Sequence, residues 1–441
     1  MRIIVATGLN AGKAEYQNMG DVAMLQVAVN RLLSMWPDAQ VEVLTESPSN
    51  LARYCPGAKP LPRAALECWV GDWILLGRFH QLLPRGASLQ LSDLKRSFGL
   101  RWPKLLERLI RLRLSLRYAS GLRNDVGIFW EALRSADLLI VCGSGGFADS
   151  CREWNLSILR TMQLAIRYDI PVAMFGQGMG PLNDPVVLSS ARVVLPEATL
   201  ISLRGSRGGL SLIESLGVNR TRILTTGDEA IELAHEARTN ELGGAIGVNL
   251  RVASYADVNG DSIECIGPVL QQFARHHNAA LLPIPIAFHE YARDHESIQR
   301  LLAGFDDQSD GGLGLDTPLS LIKQTGRCRI VVTGAYHAAV FALAQGIPVV
   351  CLSNSAYYLA KFQGLEDLFG VGCAIVTLCE PDFLDKLAAA IESTWMSAEV
   401  VRAPLLQAAL RQIEGSRDAY QRVKESLSSE PNKKIPVLLE V

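Results

Sequence analysis

The sequence predicts an α/β protein made of two Rossmann-like domains whose parallel sheets face a common cleft. Three observations carry this reading. Short β-branched apolar runs alternate with helical stretches along most of the chain, the pattern of parallel strands joined by helical crossovers. The alternation stops in a polar, glycine-containing stretch at 238–244 and then starts again, as two successive sheets require. Residues able to do chemistry recur just after the expected strand ends, where open α/β sheets bind ligands.

In chain order, residues 3–6 read as a strand, 21–35 as a helix with apolar residues at helical spacing, and 41–44 as a second strand. Strands are expected again at 138–142, 172–175, 200–203 and 223–226, with helices at 156–168 and 210–216 between them. The first domain is thus expected over 1–238, with a helical insertion at about 75–130. The second, 239–441, restarts with a strand at 246–250, a helix at 263–276 and strands at 280–283, 328–333 and 349–352. Between the last two, 338–344 reads as a helix closed by Gly346 and Pro348. A helical tail is expected at 399–427.

Composition narrows the function classes. The 441 residues are 49% apolar and 20% charged, an ordinary globular balance, and the net charge of −2 gives no general electrostatic case for nucleic acid. No run approaches the ~18 consecutive apolar residues of a membrane span. The first residues enter a strand at once, which leaves no room for a signal peptide and predicts a cytoplasmic protein. Nine cysteines are scattered without a C-x-x-C pair and read as buried, reduced thiols. No metal-ligand spacing is present, so neither a metal nor another cofactor is expected.

The most informative stretch is Thr333-Gly-Ala-Tyr-His337 and the helix after it. His337 falls at a strand-to-helix junction, where the first backbone N–H groups of a helix favour an anion. The same position would suit a histidine that merely covers a strand end. Read with Asn18-Met-Gly-Asp21, with Asp137-Leu-Leu-Ile-Val-Cys-Gly-Ser-Gly-Gly146 and Phe175-Gly-Gln-Gly-Met-Gly-Pro-Leu182, and with Ile201-Ser-Leu-Arg204 and Thr226-Gly-Asp228, the chain resembles the polysaccharide pyruvyl transferase family. These motifs follow the family's order from about residue 3 to residue 370. The resemblance implies a GT-B-like fold with the acceptor on the N-terminal side and the donor phosphate on the C-terminal side. It also implies transfer of the enolpyruvyl unit of phosphoenolpyruvate to a sugar hydroxyl as a ketal.

A donor carrying a carboxylate and a phosphate needs planar cationic donors, and ketal transfer needs an acid for the methylene carbon and a base for the hydroxyl. His337 is the acid–base candidate, because imidazole titrates near working pH. The family's donor-contacting arginine corresponds to Arg204, whose alternative is an ion pair at the strand rim. Asp21 is the candidate for the acceptor hydroxyl or for a base; Asn18 and Asp21 would equally serve as helix caps, and Gly20 lies between them. Ser144, Gly145 and Gly146 offer backbone N–H groups to a phosphate or sugar, or simply form a turn, and Gln177 and Gly178 follow the same logic. Asn249 and Arg251 end a strand of the second sheet. Tyr336 and Lys361 are further binding candidates, and His289 is held in reserve.

The family commonly has arginine two residues before this histidine, and here Ala335 stands there. Arg251 is expected first to supply the missing cation, with Lys361 and Arg204 behind it. That departure keeps open a glycosyltransferase-like enzyme using a nucleotide sugar, and a non-catalytic glycan- or nucleotide-binding relative. The acceptor is expected to be a sugar or lipid-linked glycan. The leucine- and arginine-rich segment 94–117 is expected either to touch the inner face of a membrane or to bury its leucines and point its arginines at water.

Overall fold

The computed structural model describes residues 1–7, 16–63, 66, 102–117, 120–205, 207, 209–251, 260–290 and 293–429. Gly8, which follows the first expected strand, and residues 75–101 of the expected insertion lie outside them.

Strands β1 (Arg2–Ala6), β2 (Gln40–Thr45), β3 (Lys59–Pro62), β4 (Leu138–Val141), β5 (Ser144–Phe147), β6 (Val172–Met179), β7 (Leu200–Leu203) and β8 (Ile223–Thr225) form the first sheet. Its order is β3-β2-β1-β4-β6-β7-β8, with β5 beside β6, and every pair is parallel. Strands β9 (Ala245–Asn249), β10 (Leu281–Pro283), β11 (Cys328–Thr333), β12 (Val349–Ser353) and β13 (Cys373–Thr377) form the second, in the order β10-β9-β11-β12-β13, again all parallel. Helices cover both faces of such sheets, so the strands carry continuous apolar runs. Ile3, Ile4 and Val5 in β1 and Ile330, Val331 and Val332 in β11 are all buried.

Strand order reverses between β1 and β4 in one sheet and between β9 and β11 in the other. These are the switch points at which neighbouring loops diverge and leave a crevice beyond the carboxyl ends. The stretch Gly143–Gly146 follows β4, and Tyr336 and His337 follow β11, so the topology brings two expected motifs to the two crevices.

Several elements differ from expectation. β3, β5 and β13 were not expected. The helix after β11 starts at Tyr336 rather than Ala338, which places His337 inside its first turn. The C-terminal helix begins at Phe383 and runs 47 residues to Ser429. It packs along the second sheet through Leu387, Ile391 and Leu405 and returns to the first, where the Tyr420 ring stacks 3.7 Å from that of Phe175. Cys265 and Cys379 are exposed, against the expectation of buried thiols.

Candidate active site

The site begins with three strand ends. Buried β7 delivers Arg204, whose backbone N–H donates to Gln177 O at 3.0 Å. Beyond β8 the chain turns through Gly227, at φ +79°, and presents Asp228. Oδ1 of Asp228 accepts the Ala230 N–H at 2.9 Å. Its Oδ2 lies 3.4 Å from Arg204 Nη1 and 3.6 Å from His337 Nε2. From the second domain, Thr333 Oγ1 accepts the Ala335 N–H at 2.8 Å and sets the turn that starts the helix Tyr336–Ala344. All three side chains are buried. Among the residues of this chain, Asp228 therefore joins an arginine of one sheet to a histidine of the other.

A second contact fixes the imidazole. A Cβ placed on Gly20 would lie 1.9 Å from His337 Cγ and 2.1 Å from Nδ1, so only glycine lets the helix Met19–Met35 approach this closely. Asn18 caps that helix, its side chain accepting the N–H groups of Gly20 and Asp21. The entry to the helix is held against the second domain by Met19 N–H donating to Ile286 O and Phe288 N–H donating to Gln17 O, both at 2.9 Å.

Beside this group lies a cavity of about 60 Å³ lined by Gly145, Gly178, Arg204, Arg207, Tyr336, Tyr357, Lys361 and their neighbours. A side chain at either glycine here would displace the guanidinium. A Cβ on Gly178 would sit 2.6 Å from Arg204 Nε, and one on Gly145 would collide with Arg204 Nη2 and stand 3.0 Å from Lys361 Nζ. Tyr336 presents its ring face to the Arg204 guanidinium at 4.3 Å, and Lys361 Nζ stands 3.9 Å from the centre of the Tyr357 ring. Tyr357 OH donates to Gly145 O at 2.9 Å, and Arg207 pairs with Asp367, so both contacts tie the helix Ala356–Phe369 across the cleft. A larger cavity, about 820 Å³, lies away from this cleft between the helices Pro103–Arg117 and Ser120–Ser135.

The electrostatics follow from enclosure. Burial, and then Arg204, holds the half-buried Lys361 well below the ordinary lysine value. Burial raises the Asp21 carboxyl, with His337, Arg204 and Lys361 drawing it back in part. Burial also opposes ionisation of Asp228, but the contacts with His337, Arg204 and the Ala230 N–H outweigh it and the pKa falls below the ordinary range. The result is a site with a fixed carboxylate, a guanidinium, and a lysine whose protonated form a bound anion would favour. Among the described residues, no group of three or more His, Cys, Asp or Glu side chains is placed to hold a metal ion.

Arg204, His337, Tyr336, Lys361, Gly145 and Gly178 thus come together, with Gly20 against His337 and Asp21 in the same field of charge. Ser144 Oγ accepts the Gly146 N–H at 2.9 Å, forming a local turn at the rim. Four other expected residues are engaged elsewhere. Gln177 is fully buried and its amide nitrogen donates to the carbonyls of Val141, Cys142 and Phe175, which ties strand ends together. Asn249 Nδ2 donates to Ile284 O and to Asp294 Oδ2, both at 2.9 Å. Arg251 donates through Nε and Nη2 to the two oxygens of Asp294 at 2.5 and 2.7 Å. His289 is buried, which together with Arg251 pushes it down to about 4.

Arg251, expected to supply the cation, pairs with Asp294 while its charge still reaches Lys361, which stands beside Arg204. Ala335 is fully buried. The sequence marked Asp228 at a strand end without giving it a role, and Tyr357 as a possible acceptor contact set against plain helix packing; it did not single out Arg207. The Thr226-Gly-Asp228 turn after a strand was the available signal for Asp228, and the Tyr357-Tyr358 pair for Tyr357; nothing local marked Arg207.

A family model described as polysaccharide pyruvyl transferase matches residues 18–356. No curated protein matches the chain. Among solved structures, a putative UDP-N-acetylglucosamine 2-epimerase from Listeria monocytogenes aligns with a TM-score of 0.57 at 10% identity, over 98% of this chain and 97% of its own. Anabaena HepE in complex with UDP aligns at 0.51 and 12%, over 97% and 100%. A UDP-glucose:anthocyanidin 3-O-glucosyltransferase in complex with UDP aligns at 0.52 and 11%, over 97% and 99%. At such identities the likeness is one of fold: two α/β domains with parallel sheets, of the GT-B kind.

Proposed function

The chain belongs to the polysaccharide pyruvyl transferase family, and from that premise we propose that it transfers the enolpyruvyl unit of phosphoenolpyruvate to a sugar of a cell-surface glycan precursor as a ketal. The observation that carries the proposal is the pairing of two groups: a cavity where Arg204 and Lys361 flank glycine backbone, and the buried His337–Asp228 pair beside it. The first suits a small polyanion and the second suits proton transfer.

In this reading Arg204 and Lys361 take the carboxylate and phosphate of the donor. His337 passes a proton to the methylene carbon, and Asp228 stabilises the imidazolium that supplies it. A sugar hydroxyl then adds to the carbon bearing the phosphate, its proton passing to Asp21, whose raised pKa makes it a better base than an ordinary aspartate. The C–O bond to phosphate breaks, a second hydroxyl of the sugar adds at the same carbon and returns its proton to His337, and a methyl-bearing ketal results. The donor is an intracellular metabolite, so the cytoplasm is the expected compartment.

Two observations favour a second reading, a nucleotide-sugar transferase. Ala335 removes the family's usual arginine, and HepE and the glucosyltransferase named above are structures in complex with UDP. Equilibrium binding separates the readings. Phosphoenolpyruvate should bind in competition with inorganic phosphate and lose affinity in Arg204→Lys. Tight UDP binding with no measurable phosphoenolpyruvate binding would overturn the proposal.

A further inference from the structure

The helix Pro103–Arg117 divides its leucines between two environments. Leu106 and Ile110 are buried in a cluster with Val126, Phe129, Trp130 and Leu133 of the neighbouring helix Ser120–Ser135, which anchors the helix to the first domain. Leu105, Leu109 and Leu112 are 45%, 39% and 57% exposed, and Trp102, just before the helix, is 50% exposed. At 100° per residue the three leucines fall within about 60° of one another, and Arg108 and Arg113 fall on either side of them. Arg108 is exposed and Arg113 half-buried. The segment 103–117 carries four arginines and one lysine against one glutamate. Simple shielding of the leucines by the domain would have buried this stripe and left only charge outside. The structure instead presents an apolar stripe between cations.

We propose that this helix lies in the interface of an anionic lipid bilayer, with Leu105, Leu109, Leu112 and Trp102 toward the acyl chains and Arg108 and Arg113 at the phosphate level. Charge complementarity selects the occupant. A protein partner could satisfy the leucines alone, whereas a stripe flanked on both sides by arginine matches a surface that is apolar beneath and negative above. No described helix is long and apolar enough to cross a membrane, so the contact would be peripheral. The inference does not depend on the donor proposed above.

The test is flotation of the full chain with vesicles of phosphatidylcholine, with and without about one-third phosphatidylglycerol, at low and high salt. The chain should float with the anionic vesicles, should float much less with the neutral ones, and should be released by salt. Leu105→Glu/Leu109→Glu should cut the bound fraction at least about tenfold with unchanged circular dichroism, since both positions are exposed. Arg108→Glu/Arg113→Glu should abolish the preference for anionic lipid, which keeps the test decisive if the first variant misfolds. Absence of flotation, or flotation that neither variant reduces, overturns the proposal. So does a lipid-free dimer that dissociates in Leu105→Glu/Leu109→Glu, which would assign the stripe to a second copy. Turnover of a soluble acceptor is assayed separately, so a failure here leaves the transfer reaction untouched.

Discussion

Gly20→Ala should damage catalysis while sparing the fold, and the size of the effect can be worked from one distance. The new Cβ would lie 1.9 Å from His337 Cγ and 2.5 Å from His337 Cβ, so the obstacle is the root of the side chain and not a flexible end. Restoring an ordinary contact requires the imidazole and the helix Met19–Met35 to separate by about 1.5 Å, and a misplacement of ~1 Å typically costs ~10²-fold in rate. Alanine within a helix is otherwise better than glycine by up to about 1 kcal/mol, which offsets part of the strain. Turnover should therefore fall about a hundredfold while the melting temperature moves by only a few degrees. The assay is phosphate release from phosphoenolpyruvate with an acceptor the wild type uses. A double-mutant cycle isolates the cause: in a His337→Gly background, which removes Cβ as well as the ring, Gly20→Ala should cost almost nothing further. Wild-type turnover in Gly20→Ala, or an equal loss in both backgrounds, would refute the claim that Gly20 acts by admitting His337.

Arg204→Lys keeps the charge but loses the planar fork that rests on Gly145, Gly178 and Tyr336, so donor KM should rise at least about tenfold while saturated turnover changes much less; an unchanged KM would make the arginine structural. Lys361 is held well below the ordinary lysine value by burial and Arg204, so a bound anion should raise it again. Donor binding should take up protons, seen by calorimetry in buffers of different ionisation enthalpy, and affinity should fall as pH rises; Lys361→Gln should abolish the uptake and weaken binding by roughly 1.5–3 kcal/mol, whereas uptake that persists would exclude this lysine. Burial pushes Glu229 up to about 7, so the stability it contributes is present below the ordinary glutamate range and lost as pH rises through 7. Glu229→Gln, which can still accept from Tyr420 OH, should raise stability at pH 8 relative to pH 5 by up to about 3 kcal/mol; a denaturation profile like the wild type's would contradict this.

The fold was legible because its strands are buried on both faces and so carry continuous β-branched runs such as Ile3-Ile-Val and Ile330-Val-Val. The strands that escaped notice lack that mark. Pro60 and Pro62 disguise β3, and Ser144-Gly-Gly-Phe147 looks like a turn until β6 pairs with it. In the site, the glycines announced places where backbone is closely approached, but not which group approaches. That Gly20 admits His337, and Gly178 admits Arg204, comes from long-range packing. The same limit hid the partner of the expected replacement cation. Arg251 ends a strand as Arg204 does, yet Asp294, 43 residues later, closes on its guanidinium and also accepts the N–H groups of Ile286 and Ala287. Thr226-Gly-Asp228 marked Asp228 at a strand end but not its partners: one oxygen accepts the Ala230 N–H while the other faces Arg204 and His337.

The central claim, that the Arg204–Lys361 cavity and His337 together move an enolpyruvyl group, is tested most directly by following isotope. Phosphoenolpyruvate labelled with ¹³C at the phosphate-bearing carbon is incubated with the chain and a panel of sugar and lipid-linked glycan acceptors, and the products are read by NMR. The account predicts acceptor-dependent release of phosphate, with the label appearing as a ketal carbon bonded to two sugar oxygens and to a new methyl group, and loss of that signal in His337→Ala. Release of nucleotide from an activated sugar, with the labelled phosphoenolpyruvate unchanged across the same panel, would contradict it.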